Sequence, residues 1–357
     1  MNNKTILIGI IDDDRESTNR VISILETNAE DIGFDIDINF FEATRTETQK
    51  NKNNGTAGTI EELLDCLEKF FSRKDNPKIL LIDFKLSASI APFGSSLALR
   101  LKEEQETQSF LKDLPIVGTS NVVKSPQLTE HKKAEFIDIF DKQDLDRLSK
   151  SIFQIAIDYP KLYELTELND ENRKEKIFEL ITIPNNSKDV FWNAIPTDFK
   201  KDWDLDTPQS LARWIWKYFS SKPGLLLNRL YTATLIGVEE NAFQKVENKF
   251  EGALYKGIFS VDNRQRWWKE RLIEILESSV KETKIMPIWK RGHHLDEINN
   301  EDKVKCRYTE ETEKKMIPAF IDEGRDELVP ISYDLTKEDP KENIEVGFDA
   351  VRIHKDI

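Results

Sequence analysis

Short apolar runs alternate with amphipathic helical patterns along residues 1–159. The runs over 4–11, 78–82, 114–120 and 136–140 are typical of buried strands, and 34–41 alternates apolar and polar residues as a more exposed strand does. Between these runs, apolar residues recur at helical spacing and predict helices over 17–29, 60–71, 94–104 and 145–159. Residues 126–134 would form a further helix with little apolar surface. Such alternation of strands and helices predicts a parallel sheet covered on both faces.

The pattern changes after Pro160 and becomes mainly helical. Apolar residues at helical spacing predict helices within 207–219, 225–236, 239–250 and 264–284, whereas 303–309, 328–335 and 344–353 resemble strands or extended connectors. The polar stretch 44–58 is typical of a solvent-exposed loop. We therefore predict an α/β domain over 1–159, a mainly helical domain over 160–295, and a small β-containing tail over 296–357.

Composition narrows the functional classes. The 357 residues carry a net charge of −14, which argues against general binding to nucleic acid or to anionic membranes. Neither a membrane-spanning run nor a signal peptide is recognisable, and two lone cysteines provide no disulfide framework, so we expect a cytoplasmic protein. The sequence also lacks a Walker loop, a GxGxxG motif and an HExxH motif.

Polar side chains follow the predicted buried strands. Because the carboxyl ends of parallel strands meet at one edge of a sheet, we expect these residues to converge. The candidates are Asp12, Asp13, Asp83, Thr119, Ser120 and Lys142. Crowded carboxylates repel one another and favour a cation, and their oxygen atoms suit Mg²⁺. Taken singly, an acidic run at a strand end is more often a helix N-terminus or a solvated turn, so the prediction depends on convergence.

With a cation present, Asp83 is a candidate nucleophile towards phosphorus. Lys142 and a hydroxyl group at Ser120 or Thr119 would then bind the phosphoryl oxygens.

These residues stand in the segments IGIIDDDRE, LLIDFKLS, LPIVGTSN and DIFDKQ, and in this order they resemble receiver domains of two-component response regulators. The resemblance covers residues 1–159 and implies a flavodoxin-like fold with strand order 2-1-3-4-5. It also implies phosphorylation of Asp83 by a partner histidine kinase or phosphotransfer protein. Homodimerisation through the receiver domain is a further expectation.

The resemblance assigns a role to each residue of the site. Asp12 and Asp13 would bind Mg²⁺ together with Asp83, and Lys85 would contribute its backbone carbonyl to the metal. Ser120, with Thr119 as second choice, would be the hydroxyl that responds to phosphorylation, and Lys142 would pair with the phosphate.

Some positions depart from the receiver pattern. Gln143 follows the lysine where proline is usual, Ile139 replaces an aromatic residue, and the loops over 44–58 and 83–94 are long. These departures affect signal transmission more than the phosphorylation chemistry. The predicted function is a phosphorelay protein whose helical output acts through protein–protein contacts. Two alternatives stay open: a non-phosphorylated interaction scaffold, and a receiver domain that gates an enzyme or a nucleic-acid binder.

The second half offers weaker chemical signals. All seven tryptophans lie within 192–289, where helical spacing favours a core, although adjacent tryptophans predict some exposure to a partner. Residues 264–291 combine eight basic residues with aromatic ones; we favour a solvated helix face over single-stranded nucleic-acid binding. His293, His294, Asp296 and Cys306 match no zinc spacing and favour a polar loop. No helix-turn-helix motif is recognisable, so a DNA-binding output has little support. No Ser/His/Asp or Cys/His constellation is recognisable either, and an enzymatic output stays among the open alternatives.

Overall fold

A computed structural model describes most of the chain in two compact units. The described residues are 5–42, 59–72, 76–86, 94–121, 135–200, 207–220, 223–261, 265–280, 286–321, 327–336 and 344–345. The predicted loop over 44–58, the helix over 126–134 and the tail after 345 lie outside these ranges. One unit comprises residues 1–180 and 196–217, and the other comprises 181–195 and 218–357.

The first unit contains a five-stranded parallel sheet. Its strands are β1 (Thr5–Asp12), β2 (Asp35–Glu42), β3 (Lys78–Asp83), β4 (Ile116–Ser120) and β5 (Ile139–Asp141). Their spatial order is β2-β1-β3-β4-β5, and every pair is parallel. The predicted α/β class and strand order are therefore confirmed.

Helices cover both faces of this sheet, as continuous apolar strands require. They are α1 (Arg15–Ile32), α2 (Ile60–Phe71), α3 (Gly94–Glu103) and α4 (Leu145–Tyr163). Leu7 and Leu80 pack in one core cluster with α2 and α3. The alternate residues Ile6 and Ile8 are fully buried on the opposite face, where α1 and α4 pack against each other.

Helices predominate after α4, as the sequence predicts. They are α5 (Asp170–Leu180), α6 (Lys188–Ala194), α7 (Thr207–Trp214), α8 (Arg229–Ile236), α9 (Glu240–Phe243), α10 (Lys269–Ser279) and α11 (Ile288–Arg291). A π-helical turn, Ile215–Phe219, follows α7. Pro160, where the sequence predicts a domain boundary, lies inside α4; the boundary stays a prediction.

Short 3₁₀-helical segments connect many of these elements. They are Glu104–Glu106, Ser109–Leu111, Glu164–Glu167, Asn185–Ser187, Thr197–Phe199, Glu247–Ala253, Gly292–His294, Asn300–Asp302 and Tyr333–Thr336. The predicted helix over 239–250 is thus divided between α9 and a 3₁₀ segment.

Two of the predicted helices begin too early. The prediction of helix at 226–227 and at 267–268 was wrong, because β6 (Leu226–Leu227) pairs antiparallel with β7 (Trp267–Trp268). Short apolar runs do not distinguish strand from helix by periodicity, and here strand pairing decides. On a strand, neighbouring side chains point to opposite faces, so Trp267 and Trp268 are both buried.

Trp214, at the end of α7, and Trp216, in the π-helical turn after it, differ from each other in burial. Trp216 is fully buried and Trp214 is half-buried, so the core interpretation holds for Trp216, Trp267 and Trp268. The expected exposure of adjacent tryptophans was wrong for the pair in β7.

The tail forms a small antiparallel sheet in the order β10-β8-β9. Its strands are β8 (Met316–Ile321), which the sequence analysis missed, β9 (Glu327–Ser332) and β10 (Ile344–Glu345). Within the described ranges, no helix is both long and apolar enough to cross a membrane.

We expect Gly237→Ala to destabilise the second unit by about 1–3 kcal/mol. Gly237 ends α8 in the left-handed region (φ +88°), and a Cβ there would overlap the backbone carbonyl of Trp289. Gly224→Ala is the matched control, because a Cβ at Gly224 meets no atom within 4 Å. Urea unfolding, followed by a spectroscopic signal from the second unit, measures the free energy of unfolding of both variants. Equal values for the two variants would contradict the prediction.

Candidate functional site

The predicted site residues lie at the carboxyl edge of the parallel sheet. Asp12 ends β1, Asp83 ends β3, and Ser120 ends β4. The register pairs Asp83 with Thr119 and Ser120 with Asp141, the residue before Lys142. Parallel pairing therefore brings four strand ends, and the polar residues on them, to one edge.

Lys142 lies between two carboxylates. Its Nζ is 2.7 Å from Asp12 Oδ2 and 2.6 Å from Asp83 Oδ1. All three side chains are at least 90 % buried. A single ammonium group thus neutralises much of the charge of two acids that are shielded from water.

Two hydrogen bonds from nearby residues also hold the Asp12 carboxylate. The backbone N–H of Asp14 donates to Oδ1 (2.9 Å), and the Thr18 hydroxyl donates to Oδ2 (2.9 Å). Thr18 is fully buried on α1. Thr18 was not among the predicted site residues, although a threonine one turn into the helix after the acidic run is a usable signal. Thr18 therefore orients Asp12.

Asp14, the third acid of the run, has the ordinary helix-capping role. Its carboxylate accepts hydrogen bonds from the backbone N–H groups of Glu16 and Ser17 and caps α1. The acidic run DDD thus divides between the site and the helix terminus.

Hydrogen bonds of the backbone N–H groups fix the segment that follows Asp83. The backbone N–H of Lys85 donates to Asp83 Oδ2 (2.9 Å), and the N–H of Phe84 donates to the Thr119 carbonyl (2.8 Å). Gly94 begins α3 against this segment, and a Cβ at Gly94 would overlap the Asp83 carbonyl. These contacts fix the backbone that carries the Asp83 carboxylate.

Three carboxylates are arranged so that they can share a cation. Asp12, Asp13 and Asp83 each offer an oxygen atom, and these oxygens lie within 4.8 Å of one another. Among the described residues, no other three or more His, Cys, Asp or Glu side chains bring their ligand atoms this close together. An all-oxygen donor set fits a hard cation such as Mg²⁺ or Ca²⁺. The site can therefore hold a divalent metal.

Burial and neighbouring charges shift the pKa values of Asp83 and Lys142. Burial raises the pKa of Asp83 and the charge of Asp12 adds to this, while Lys142 opposes both; the net pKa is raised. Burial by itself lowers the pKa of Lys142, but the charges of Asp83 and Asp12 outweigh it and raise the pKa above its ordinary value. Lys142 is therefore charged at neutral pH.

The candidate hydroxyl residues lie at the same edge. Thr119 and Ser120 are both buried, and the Ser120 carbonyl accepts a hydrogen bond from the Lys142 N–H (2.9 Å). The Lys85 side chain is exposed. The hydroxyl roles and the Lys85 carbonyl as a metal ligand stay predictions.

His293 and Cys306 each form a hydrogen bond with the protein backbone. His293 Nε2–H donates to the Gly237 carbonyl (2.8 Å), and burial lowers the pKa of this imidazole. Cys306 is buried, and its Sγ accepts from the Ser332 N–H (3.3 Å). These contacts satisfy the two side chains within the protein.

The basic stretch over 264–291 contains paired charges. Arg271 binds Glu274, Lys290 binds Glu313, and Arg291 binds Glu277. Paired guanidinium and ammonium groups favour the solvated-face interpretation over binding to phosphates.

No protein-family model and no curated protein matches this chain.

Proposed function

We propose that the first unit is a receiver-type module of the flavodoxin-like class that accepts a phosphoryl group on Asp83. The observation that supports this best is Lys142 bridging Asp12 and Asp83 at the edge of a sheet with order β2-β1-β3-β4-β5. The group of Asp12, Asp13 and Asp83 adds a cation-binding donor set. We propose a cytoplasmic histidine kinase or phosphotransfer protein as the donor.

In the transfer, an oxygen of the Asp83 carboxylate forms a bond to phosphorus as the P–N bond of the donor phosphohistidine breaks. The electron pair of that bond leaves with the donor imidazole, and the product is an acyl phosphate on Asp83. Asp12, Asp13 and Asp83 would hold Mg²⁺, with the Lys85 carbonyl as a further ligand, and the ion supplies positive charge that offsets the carboxylates and the phosphoryl oxygens.

Protein groups stabilise the new phosphoryl group. Lys142 carries its charge on a side chain that already contacts Asp83, so its ammonium is placed to bind phosphoryl oxygens. A hydroxyl of Ser120 or Thr119 would donate a further hydrogen bond from the end of β4. The Lys85 N–H holds Asp83 Oδ2 in place.

Intact mass spectrometry after incubation with acetyl phosphate and Mg²⁺ tests the proposal. We expect the wild-type chain to gain one phosphoryl group and Asp83→Asn to gain none, because the nucleophilic carboxylate is lost. Asp141→Asn is the matched control, since Asp141 also ends a strand at this edge and should leave the adduct unchanged. An adduct that persists in Asp83→Asn would overturn the assignment.

The interaction scaffold is the second candidate function. Lys142 contacts both Asp12 and Asp83, so these three side chains also form a buried structural ion pair. This candidate predicts no phosphoryl adduct on the wild-type chain and no effect of Asp83→Asn on partner binding. For either candidate we propose protein–protein contacts as the output.

The raised pKa of Asp83 makes the stability of the first unit depend on pH. The folded state retains the Asp83 proton above the ordinary value of 3.8, where the unfolded state has lost it. Since the folded state then binds more protons, ionisation of Asp83 lowers the free energy of unfolding as pH rises through this interval. Urea unfolding at a series of pH values measures the slope. In Asp83→Asn this contribution should vanish, and an unchanged slope would contradict it.

A further inference from the structure

Helix α7 and the π-helical turn after it are bonded to the segment that forms β5. Trp216 Nε1–H donates to Asp138 Oδ2 (2.9 Å), and Lys217 Nζ lies 3.2 Å from Asp138 Oδ1. The Phe140 and Trp216 rings meet edge to face, with centroids 6.1 Å apart. Trp216 is fully buried. We call Asp138, Phe140, Trp216 and Lys217 the Trp216 contact.

A glutamine fixes the start of α7 to the same part of the sheet. Gln209 Nε2–H donates to the Glu135 carbonyl (2.9 Å), and its Oε1 accepts from the backbone N–H of Ile116 (3.2 Å). Gln209 is buried. Loss of these hydrogen bonds would leave the buried Gln209 amide without partners and destabilise the fold. Gln209 therefore holds α7 at one position on the sheet.

Strand β5 connects this contact to the candidate site. Asp138 directly precedes β5, Phe140 lies within it, and Lys142 directly follows it. Ile139, the first residue of β5, belongs to the core cluster shared with α2 and α3. Two members of the Trp216 contact therefore lie within four residues of the lysine that binds Asp12 and Asp83.

We propose that the Trp216 contact responds to the occupancy of the Asp83 site and passes that state along the chain. The inference rests on the proposed function. A divalent cation among the carboxylates, or a phosphoryl group on Asp83, competes with Lys142 for the carboxylates of Asp12 and Asp83, and we expect Lys142 to exchange at least one of its two partners. The segment 138–142 then adjusts, and with it the bonds from Asp138 to Trp216 and Lys217.

The position of the π-helical turn fits this role. It begins at Ile215, one residue before Trp216, and ends at Phe219, so it spans the point where the chain passes from the first unit to the second. Turns of this type often occur at functional positions within helices. A change at Trp216 is thus delivered to residues that lead directly into the second unit.

Coupling between two sites is reciprocal. If occupancy of the carboxylates changes the Trp216 contact, then weakening that contact must change affinity at the carboxylates by the same factor. We expect Asp138→Asn and Trp216→Phe each to change the Mg²⁺ dissociation constant by at least about fivefold, the lower end of usual allosteric coupling.

Fluorine NMR of the full chain labelled with 5-fluorotryptophan tests this directly. The Trp216 signal is assigned by its loss in Trp216→Phe, and it is followed during Mg²⁺ titration and after addition of acetyl phosphate. We expect this signal to shift with each addition. Trp214 is the control, because it lies on the same segment and packs edge to face against Phe199; its signal should stay unchanged, and Trp214→Phe should retain wild-type Mg²⁺ affinity.

The outcomes separate this inference from the proposed function. If the wild-type chain binds Mg²⁺ and forms the adduct while the Trp216 signal and both variant affinities stay unchanged, the contact is structural packing and the inference is overturned. If the wild-type chain neither binds Mg²⁺ nor forms the adduct, the proposed function fails and this inference fails with it. Asp138→Asn conserves shape, so it gives the affinity test should Trp216→Phe not fold.

Discussion

Replacing Lys142 by methionine is expected to lower the free energy of unfolding by about 3–5 kcal/mol. The substitution conserves most of the side-chain volume but removes the ammonium group that lies 2.7 Å from Asp12 and 2.6 Å from Asp83. Two buried carboxylates then face each other without a counter-charge. Removing one partner of a buried ion pair costs far more than the pair contributes, because the remaining charge is still kept from water.

Chemical denaturation in the absence and presence of Mg²⁺ measures this effect. Lys150→Met is the matched control, because Lys150 pairs with Asp146 on the surface of α4 and such pairs contribute about 0–1 kcal/mol. If the carboxylates bind the metal, Mg²⁺ should restore more stability to Lys142→Met than it adds to the wild-type chain. Equal losses in the two lysine variants would show that Lys142 is not the essential counter-charge.

Much of the first unit could be predicted from local sequence. Continuous apolar runs ending in Asp12 and Asp83 are strong signals for buried parallel strands, because both faces of such strands need covering. Once those strands are parallel, their polar ends must share an edge, and this places Asp12, Asp83 and Lys142 together. The strand order came from the resemblance, since alternation of strands and helices permits more than one order.

The features that were missed depend on tertiary contacts. Thr18 orients Asp12 through a hydroxyl group whose role is set by the direction of α1 relative to β1. Leu226–Leu227 and Trp267–Trp268 are too short to show a period, and their pairing joins segments 40 residues apart in the sequence. The bond between Trp216 and Asp138 spans 78 positions, so sequence spacing gives no sign of it.

The second large effect concerns metal affinity at Asp12. We expect Asp12→Asn to weaken Mg²⁺ binding by about 100-fold or more, because loss of a residue that merely supports a metal ligand costs about 10–100-fold and loss of a ligand should cost no less. The amide retains the shape of the carboxylate but has one acceptor oxygen, so it keeps either the hydrogen bond from Asp14 N–H or the one from Thr18, which go to different oxygens of Asp12. What it removes is a negative charge from the oxygen group of Asp12, Asp13 and Asp83.

Asp14→Asn is the matched control for this experiment, since it makes the same chemical change two residues later. Asp14 caps α1, and asparagine is as good an N-cap as aspartate, so the control should retain both stability and Mg²⁺ affinity. Isothermal titration calorimetry of the full chain with MgCl₂ measures both variants. A metal bound at the proposed site depends on Asp12 and not on Asp14, whereas diffuse attraction by the acidic run would weaken equally in the two variants. Equal affinities would therefore exclude this edge of the sheet as a specific metal site, and with it the charge compensation that phosphorylation of Asp83 requires.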